Sequence, residues 1–210
     1  MLSARDKYIL EHTSPQGEAL DWVEKQTYIR TSYPRMLSGA VQGRFLTEIV
    51  KISGARRIME IGTFTGYSAI CLAYGLPEDG HLDSLEIDDE LEDLIREGWE
   101  KAGVSDRITL HIGDALDTLR SLEGPYDLVY IDANKREYLQ YYELCLPLLR
   151  SGGVILADDV MLGGKVYADS VPPDKQTCGL VEFNEAVMKD RRVETVMLPL
   201  GDGLSMIRKL

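Results

Sequence analysis

The chain has 210 residues, 44% of them hydrophobic and 28% charged, a balance that suits a packed core and argues against disorder. At this length folding removes about 70% of the unfolded chain's surface from water, which allows one sizeable core. Lys+Arg 23 against Asp+Glu 35 leaves −12, which disfavours a general nucleic-acid binder or a membrane-surface protein.

The first 55 residues read as helices. Stretches of roughly 3–12 and 16–30 are punctuated by Ser14-Pro15 and Tyr33-Pro34. A third helix over 41–53 carries Val41, Phe45, Ile49 and Ile52 on one stripe, predicted to face the core. From Arg57 the pattern turns to strands alternating with helices. Ile58–Ile61 is a short buried strand, Gly62 to Gly66 a turn, and Tyr67–Tyr74 a helix. His81–Ile87 is the second strand. Asp88–Ala102 is a helix with acids outward, inside a stretch (Pro77 to Glu100) of eleven acids and one base. Ile108, Leu110 and Ile112 alternate on a third strand, Asp127–Ile131 is a fourth and Val154–Ala157 a fifth, followed by a helix around Leu180–Met188. Val193–Leu198 and Leu204–Arg208 close the chain. The Gly201-Asp202-Gly203 join between them is too short for a helical crossover, so this pair is an antiparallel hairpin.

Such an order predicts an α/β fold: a doubly wound, mainly parallel, seven-stranded sheet with a C-terminal antiparallel hairpin. One domain is expected, with residues 1–55 as a helical N-terminal appendage and 56–210 as the α/β core. Cys71, Cys145 and Cys178 lie far apart with no C-x-x-C and read as reduced thiols, so a cytoplasmic protein is expected. The N-terminus lacks the apolar stretch of a signal peptide, and no apolar run is long enough to span a bilayer.

Ligands of doubly wound sheets bind beyond the carboxyl ends of the strands. After the first strand comes Glu60-Ile61-Gly62-Thr63-Phe64-Thr65-Gly66, which is not the G-x-G-x-x-G of a dinucleotide turn. Its glycines allow close backbone approach, and its acid suits a ligand bearing an ammonium group better than a phosphate. Alternatively the glycines only make a tight turn. Glu86 ends the second strand, where an acid accepts hydrogen bonds from ribose hydroxyls. Asp114, after the third, either meets an adenine amine or caps the helix opening at Ala115. The fourth strand ends Asp132-Ala133-Asn134-Lys135 and the fifth Asp158-Asp159. Carboxylates converging there repel unless a cation sits among them, and their hard oxygens imply Mg²⁺, Mn²⁺ or Ca²⁺ rather than zinc. Asn184, on the late helix, either completes that oxygen cage or is an ordinary polar helix position. His12, His81 and His111 are scattered and read as structural or surface residues.

Together these residues resemble the cation-dependent class I O-methyltransferases, the family of caffeoyl-CoA O-methyltransferase and related bacterial catechol methyltransferases. Arg35–Leu46, Met59–Ser68, Ile131–Lys135, Phe183-Asn184 and Leu198–Leu204 carry the likeness, which runs from about Pro34 to the end. It implies a Rossmann-like methyltransferase sheet with S-adenosylmethionine bound by Ser38, Glu60, Gly62, Thr63, Ser68, Glu86, Ala115 and Asp132. Asp132, Asp158, Asp159 and Asn184 would hold the metal, Lys135 would be the general base and the protein a homodimer. The implied acceptor is a catechol-like phenol. Some bacterial proteins similar to this one instead methylate a 5-hydroxyuridine in transfer RNA, for which the nine bases and six acids of residues 1–57 leave room. A non-catalytic adenosylmethionine-binding module is the other alternative. Two departures stand out. Asp158-Asp159 replaces the family's Asp-Asn and adds a charge to the metal site, and Asn134 replaces an aspartate, weakening one cofactor contact.

Overall fold

Alternation within the strands decides the architecture. In β1 (Arg57–Ile61) Ile58 and Glu60 point to one face and Met59 and Ile61 to the other, and all four are fully buried. A strand apolar on both faces must be covered on both, which a parallel sheet wrapped in helices achieves. The computed structural model describes residues 3–170 and 174–210. Its other strands are β2 (His81–Glu86), β3 (Ile108–Ile112), β4 (Tyr126–Ile131), β5 (Leu149–Ala157), β6 (Val193–Leu198) and β7 (Leu204–Lys209). They form one seven-stranded sheet in the order β3-β2-β1-β4-β5-β7-β6. Parallel pairing runs from β3 to β5, with Ile58 beside both Leu82 and Leu128, whereas β7 is antiparallel to β5 and to β6. The doubly wound sheet and closing hairpin are therefore as the sequence predicts.

One face is covered by α2 (Glu18–Arg30), α3 (Gly39–Ser53), α4 (Tyr67–Gly75) and α5 (Glu92–Ala102). Leu20, Val23, Leu46 and Val50 share a buried cluster with Ile58 and Leu128, so α2 and α3 are built into the core. Only α1 (Ala4–Glu11), capped by Ser3, buries no residue. The other face is covered by α6 (Ala115–Ser121), α7 (Tyr138–Leu148) and α8 (Lys175–Lys189). Side chains that cap their own helices start α6 and α8: Asp114 accepts from the Leu116 and Asp117 N–H groups, and Asp174 from Thr177. In α5 Leu94, Ile95 and Trp99 face inward beneath a shell of acids.

The α3 stripe differs from expectation. Its buried face is Gln42, Gly43, Leu46, Thr47 and Val50, while Ile52 is 80% exposed. Gly43 lets α3 approach α4, where a Cβ would lie 2.7 Å from Cys71 Sγ, and the Thr47 hydroxyl donates to the Cys71 carbonyl at 2.8 Å. Gly43 and Thr47 thus join Leu46 and Val50 on the buried face, while Phe45 and Ile49 of the expected stripe are only partly buried against the same core. Cys71 and Cys145 are buried and Cys178 is exposed, all as free thiols. Among the described residues no helix is long and apolar enough to cross a membrane.

Candidate active site

The strand order reverses between β1 and β4, the point in a doubly wound sheet where ligands bind. Backbone hydrogen bonds draw the first residues beyond the strands together. The Gly62 N–H donates to the Leu85 carbonyl, Asp132 to Ile61 and Asp158 to Ile131, each at 2.9 Å. A cleft of about 580 Å³ results, lined by the 62–65 turn, Glu86, Asp114-Ala115, 132–135 and Asp159, with Arg35–Ser38 before α3 at its rim. Gly62 has φ +96°, and a Cβ there would sit 2.1 Å from the Asp132 carbonyl oxygen, so only glycine allows the β1 and β4 ends to meet.

Of the predicted site residues, Ser38, Gly62, Thr63, Ser68, Glu86, Asp114, Ala115, Asp132, Lys135 and Asp159 all line this cleft. Glu86 is fixed before any ligand arrives. Its Oε2 accepts from the Phe64 N–H at 2.6 Å and its Oε1 from Ile87 and Asp88 at 3.0 Å. Burial nevertheless raises its pKa, against the pull of those N–H groups. Asp114 spends one oxygen as the α6 cap, which leaves the other for a ligand, so its two expected roles are compatible.

Glu60 lies behind the cleft wall and is wholly buried. The Ser84 hydroxyl donates to its Oε2 at 2.6 Å, so Thr63, 2.6 Å from Ser84, must donate to Ser84 in turn. Glu60 Oε1 is buried with no hydrogen-bond partner. Burial pushes the carboxyl up to about 7, with Ser68 and Ser84 opposing. It reaches the cleft through Ser68 and Thr63 rather than by lining it.

Oxygens of Asp132, Asp158 and Asp159 lie within 4.8 Å of one another. At that spacing, in surroundings of effective dielectric ~20, each pair of carboxylates repels by ~3 kcal/mol before solvent screening. Asp158 is 3% exposed; its Oδ2 takes hydrogen bonds, but its Oδ1 is buried without a partner. Burial, reinforced by Asp132 and Asp159, pushes its carboxyl up to about 7. A hard divalent cation would complete that oxygen and relieve the repulsion, so the donor set fits such an ion. Asp159 holds φ +55°, a left-handed conformation that Asp and Asn tolerate better than other side chains.

Lys135 is the local counter-charge. Its Nζ lies 2.9 Å from Asp132 Oδ1 and 3.7 Å from Asp159 Oδ2, and it donates to the Tyr138 hydroxyl at 2.6 Å. Burial works against the ammonium, but Tyr138, Asp132 and Asp159 outweigh it and hold its pKa above that of an ordinary lysine. Tyr138 is itself kept neutral by burial, so the carboxylates carry the effect. With these partners alone Lys135 is a cation, and it acts as a base only after losing that proton.

Asn184 does not line the cleft. Its Nδ2 donates to the Val160 carbonyl at 3.0 Å, and it lines a separate cavity of about 260 Å³ with Val187, Met188, Thr195, Met197 and Ser205. The bond to Val160 braces the loop beyond the carboxylates through Nδ2 alone; Asn184 Oδ1, like Asp158 Oδ1, is buried with no hydrogen-bond partner and is left for an ion. Sequence reasoning missed Gln42, Tyr130 and Tyr138, which bond to Asp158 and Lys135. Polar groups inside otherwise apolar segments were the available signal. His111 bonds to Asp83 at 2.8 Å and His81 to Thr109, in keeping with structural roles.

A family model described as O-methyltransferase matches residues 10–210. Caffeoyl-CoA O-methyltransferase of Eucalyptus gunnii is 35% identical over 219 residues, covering 97% of this chain and 86% of that one. The O-methyltransferase TomG of Streptomyces achromogenes, involved in tomaymycin synthesis and solved with SAM, has a TM-score of 0.91 at 32% identity, covering 99% and 96% of the two chains. An O-methyltransferase from Bacillus cereus, solved with SAH, has a TM-score of 0.92 at 33% identity over 99% and 98%. Matched along nearly its whole length in sequence and in fold, the chain belongs to the O-methyltransferase family and is an O-methyltransferase.

Proposed function

We propose that the protein transfers a methyl group from S-adenosylmethionine to one hydroxyl of a vicinal-dihydroxy aromatic small molecule. A divalent cation, Mg²⁺ or Mn²⁺, would be held by Asp132, Asp158, Asp159 and Asn184. The observation that carries this reading is the buried, unpartnered Asp158 Oδ1 inside a cluster of three carboxylates at the cleft edge. Relatives solved with SAM and SAH, and relatives named for caffeoyl-CoA, support the donor and a phenolic acceptor.

The chain's own groups then divide the work. Glu86 accepts from the ribose hydroxyls, and Asp114 and Ala115 receive the adenine end. Glu60, behind Ser68 and Thr63, supplies negative charge toward the donor's ammonium group. Methyl transfer from sulfur to oxygen is in line, so holding donor and acceptor in alignment is the main protein contribution. A catechol hydroxyl titrates near ~10, like tyrosine, and is a poor nucleophile at neutral pH. A bound divalent ion supplies Lewis acidity that lowers this value. Lys135 Nζ is the group placed to take the acceptor's proton, and Asp132 holds it there. Leu37 and Leu162, which line the same cleft, provide apolar wall for an aromatic ring.

Chelation tests the reading. Turnover with catechol or caffeate esters should vanish in EDTA and return with Mg²⁺ or Mn²⁺; full activity in EDTA would refute the cation assignment. Undermodified transfer RNA belongs in the same acceptor panel, and preferential labelling of it would replace the phenol by a nucleic-acid acceptor. Exposed apolar side chains on the N-terminal helices, such as Ile29 and Ile52, support assembly as a homodimer, which light scattering checks.

A further inference from the structure

Gln42 lies on the buried face of α3 at 6% exposure, where a helix packed on a sheet ordinarily carries Leu or Val. Its amide makes two contacts. Nε2 is 2.6 Å from Asp158 Oδ2 and 2.8 Å from the Tyr130 hydroxyl, and that hydroxyl is 3.2 Å from the same Oδ2. The Tyr130 hydroxyl donates to that Oδ2. With that proton committed, Tyr130 can only accept from Gln42. The amide therefore turns its NH₂, and not its oxygen, to both partners. Three elements close this ring: α3, β4 and the residue after β5. Tyr130 and Leu156 are paired neighbours on the sheet, and strand alternation brings Asp158 to the same face, directly under α3.

The network treats the two Asp158 oxygens differently. Oδ2 receives two donors, while Oδ1 receives none and is buried. We infer that Gln42 and Tyr130 are positioning residues for the cation site: they saturate Oδ2, lock the carboxylate plane and present Oδ1 as the one oxygen free to bind the ion. This rests on the proposed cation dependence and extends it to the N-terminal helices, which thereby become part of the site. Hydrogen-bonding partners of ligating carboxylates set affinity in this way. Without these donors Asp158 is free to rotate, and its oxygens are no longer aimed.

Mn²⁺ binding, followed by electron paramagnetic resonance on the full chain, reads the effect directly. Gln42→Leu keeps the bulk and removes both N–H groups, and its Mn²⁺ Kd should rise ~10–100-fold. Tyr130→Phe leaves the 2.6 Å bond in place and should show a smaller rise in the same direction. S-adenosylhomocysteine affinity, measured by calorimetry in EDTA, should be unchanged in both, because Glu86 and the 62–66 turn are untouched. Equal Mn²⁺ affinity in wild type and both variants overturns the inference while leaving the cation site standing. Parallel loss of Mn²⁺ and S-adenosylhomocysteine binding overturns it too, because general disruption would then explain both. A wild type that binds no Mn²⁺ refutes the cation site itself. Should Gln42→Leu fail to fold, Tyr130→Phe decides alone.

Discussion

Replacing Glu60 by Gln isolates what a buried, half-satisfied carboxyl does to the fold. In the unfolded chain Glu60 titrates near 4.5, and in the native protein burial raises it to about 7. Between these values the native state holds a proton that the unfolded state has released. Stability is therefore fully present below pH 4.5, falls as pH rises toward 7 and is flat above. At ~1.4 kcal/mol per pH unit, the gap between 4.5 and about 7 comes to ~3 kcal/mol. Glu60→Gln keeps the shape and cannot ionise. Its unfolding free energy relative to wild type should improve by ~2–3 kcal/mol between pH 5 and pH 8. Asp158, also raised to about 7, titrates in the same window in both proteins and cancels in the difference. Urea unfolding of the ligand-free proteins at several pH values measures this. Parallel stability curves would refute the reasoning, because Glu60 would then ionise freely in the native state.

Lys135→Ala should lower kcat by ~10²–10⁴, and wild-type kcat should climb as pH rises through the alkaline range, since the carboxylates hold the lysine proton. A near-normal rate would remove Lys135 as the base. Asp159→Asn fits the same left-handed backbone and deletes one charge 3.7 Å from Lys135. It should weaken Mg²⁺ binding and, at saturating Mg²⁺, move the rising limb of the pH–rate profile to lower pH; an unmoved limb would mean that Asp159 does not act on Lys135. Glu86→Ala should weaken S-adenosylmethionine binding by ~1.5–3 kcal/mol, measured by calorimetry, through lost charge-assisted hydrogen bonds and three freed backbone N–H groups.

Residues that line the cleft at the ends of strands were legible because strand-end position, side-chain type and glycine geometry all appear in the local sequence. Glu86 and Asp132 are read in this way, and the Gly201–Gly203 join is read correctly as a hairpin. Residues that act across elements were not. Gln42 looks like a polar interruption of a helix until β4 and β5 are placed beneath it, and the apolar stripe of α3 then reaches the core only partly, through Phe45 and Ile49, with Ile52 exposed. Asn184 was legible by residue type alone: that its Nδ2 meets the Val160 carbonyl while its Oδ1 is buried without a partner is a fact of helix placement that spacing does not encode.

The closing hairpin explains how the site tolerates its own backbone. Among the described residues three that are not glycine have positive φ, Phe64, Asp159 and Leu162, and all three line the cleft. Each such conformation costs ~1–3 kcal/mol and persists only where surrounding bonds over-determine it. Phe64 is tied through its N–H to Glu86. The loop carrying Asp159 and Leu162 is tied to the turn between β6 and β7: Val160 N–H donates to the Gly203 carbonyl at 3.1 Å, Met161 to Asp202 at 2.9 Å, and Gly163 to the Asp202 carboxylate. Ala157 pairs with Ser205, so β7 starts beside the point where β5 ends. A parallel strand in that position would enter this end of the sheet only after its full length, with its own carboxyl end there and no tight turn to offer. Reversing the last strand delivers a rigid turn to the carboxylate loop, and so the one break in the parallel pattern is also the brace of the site.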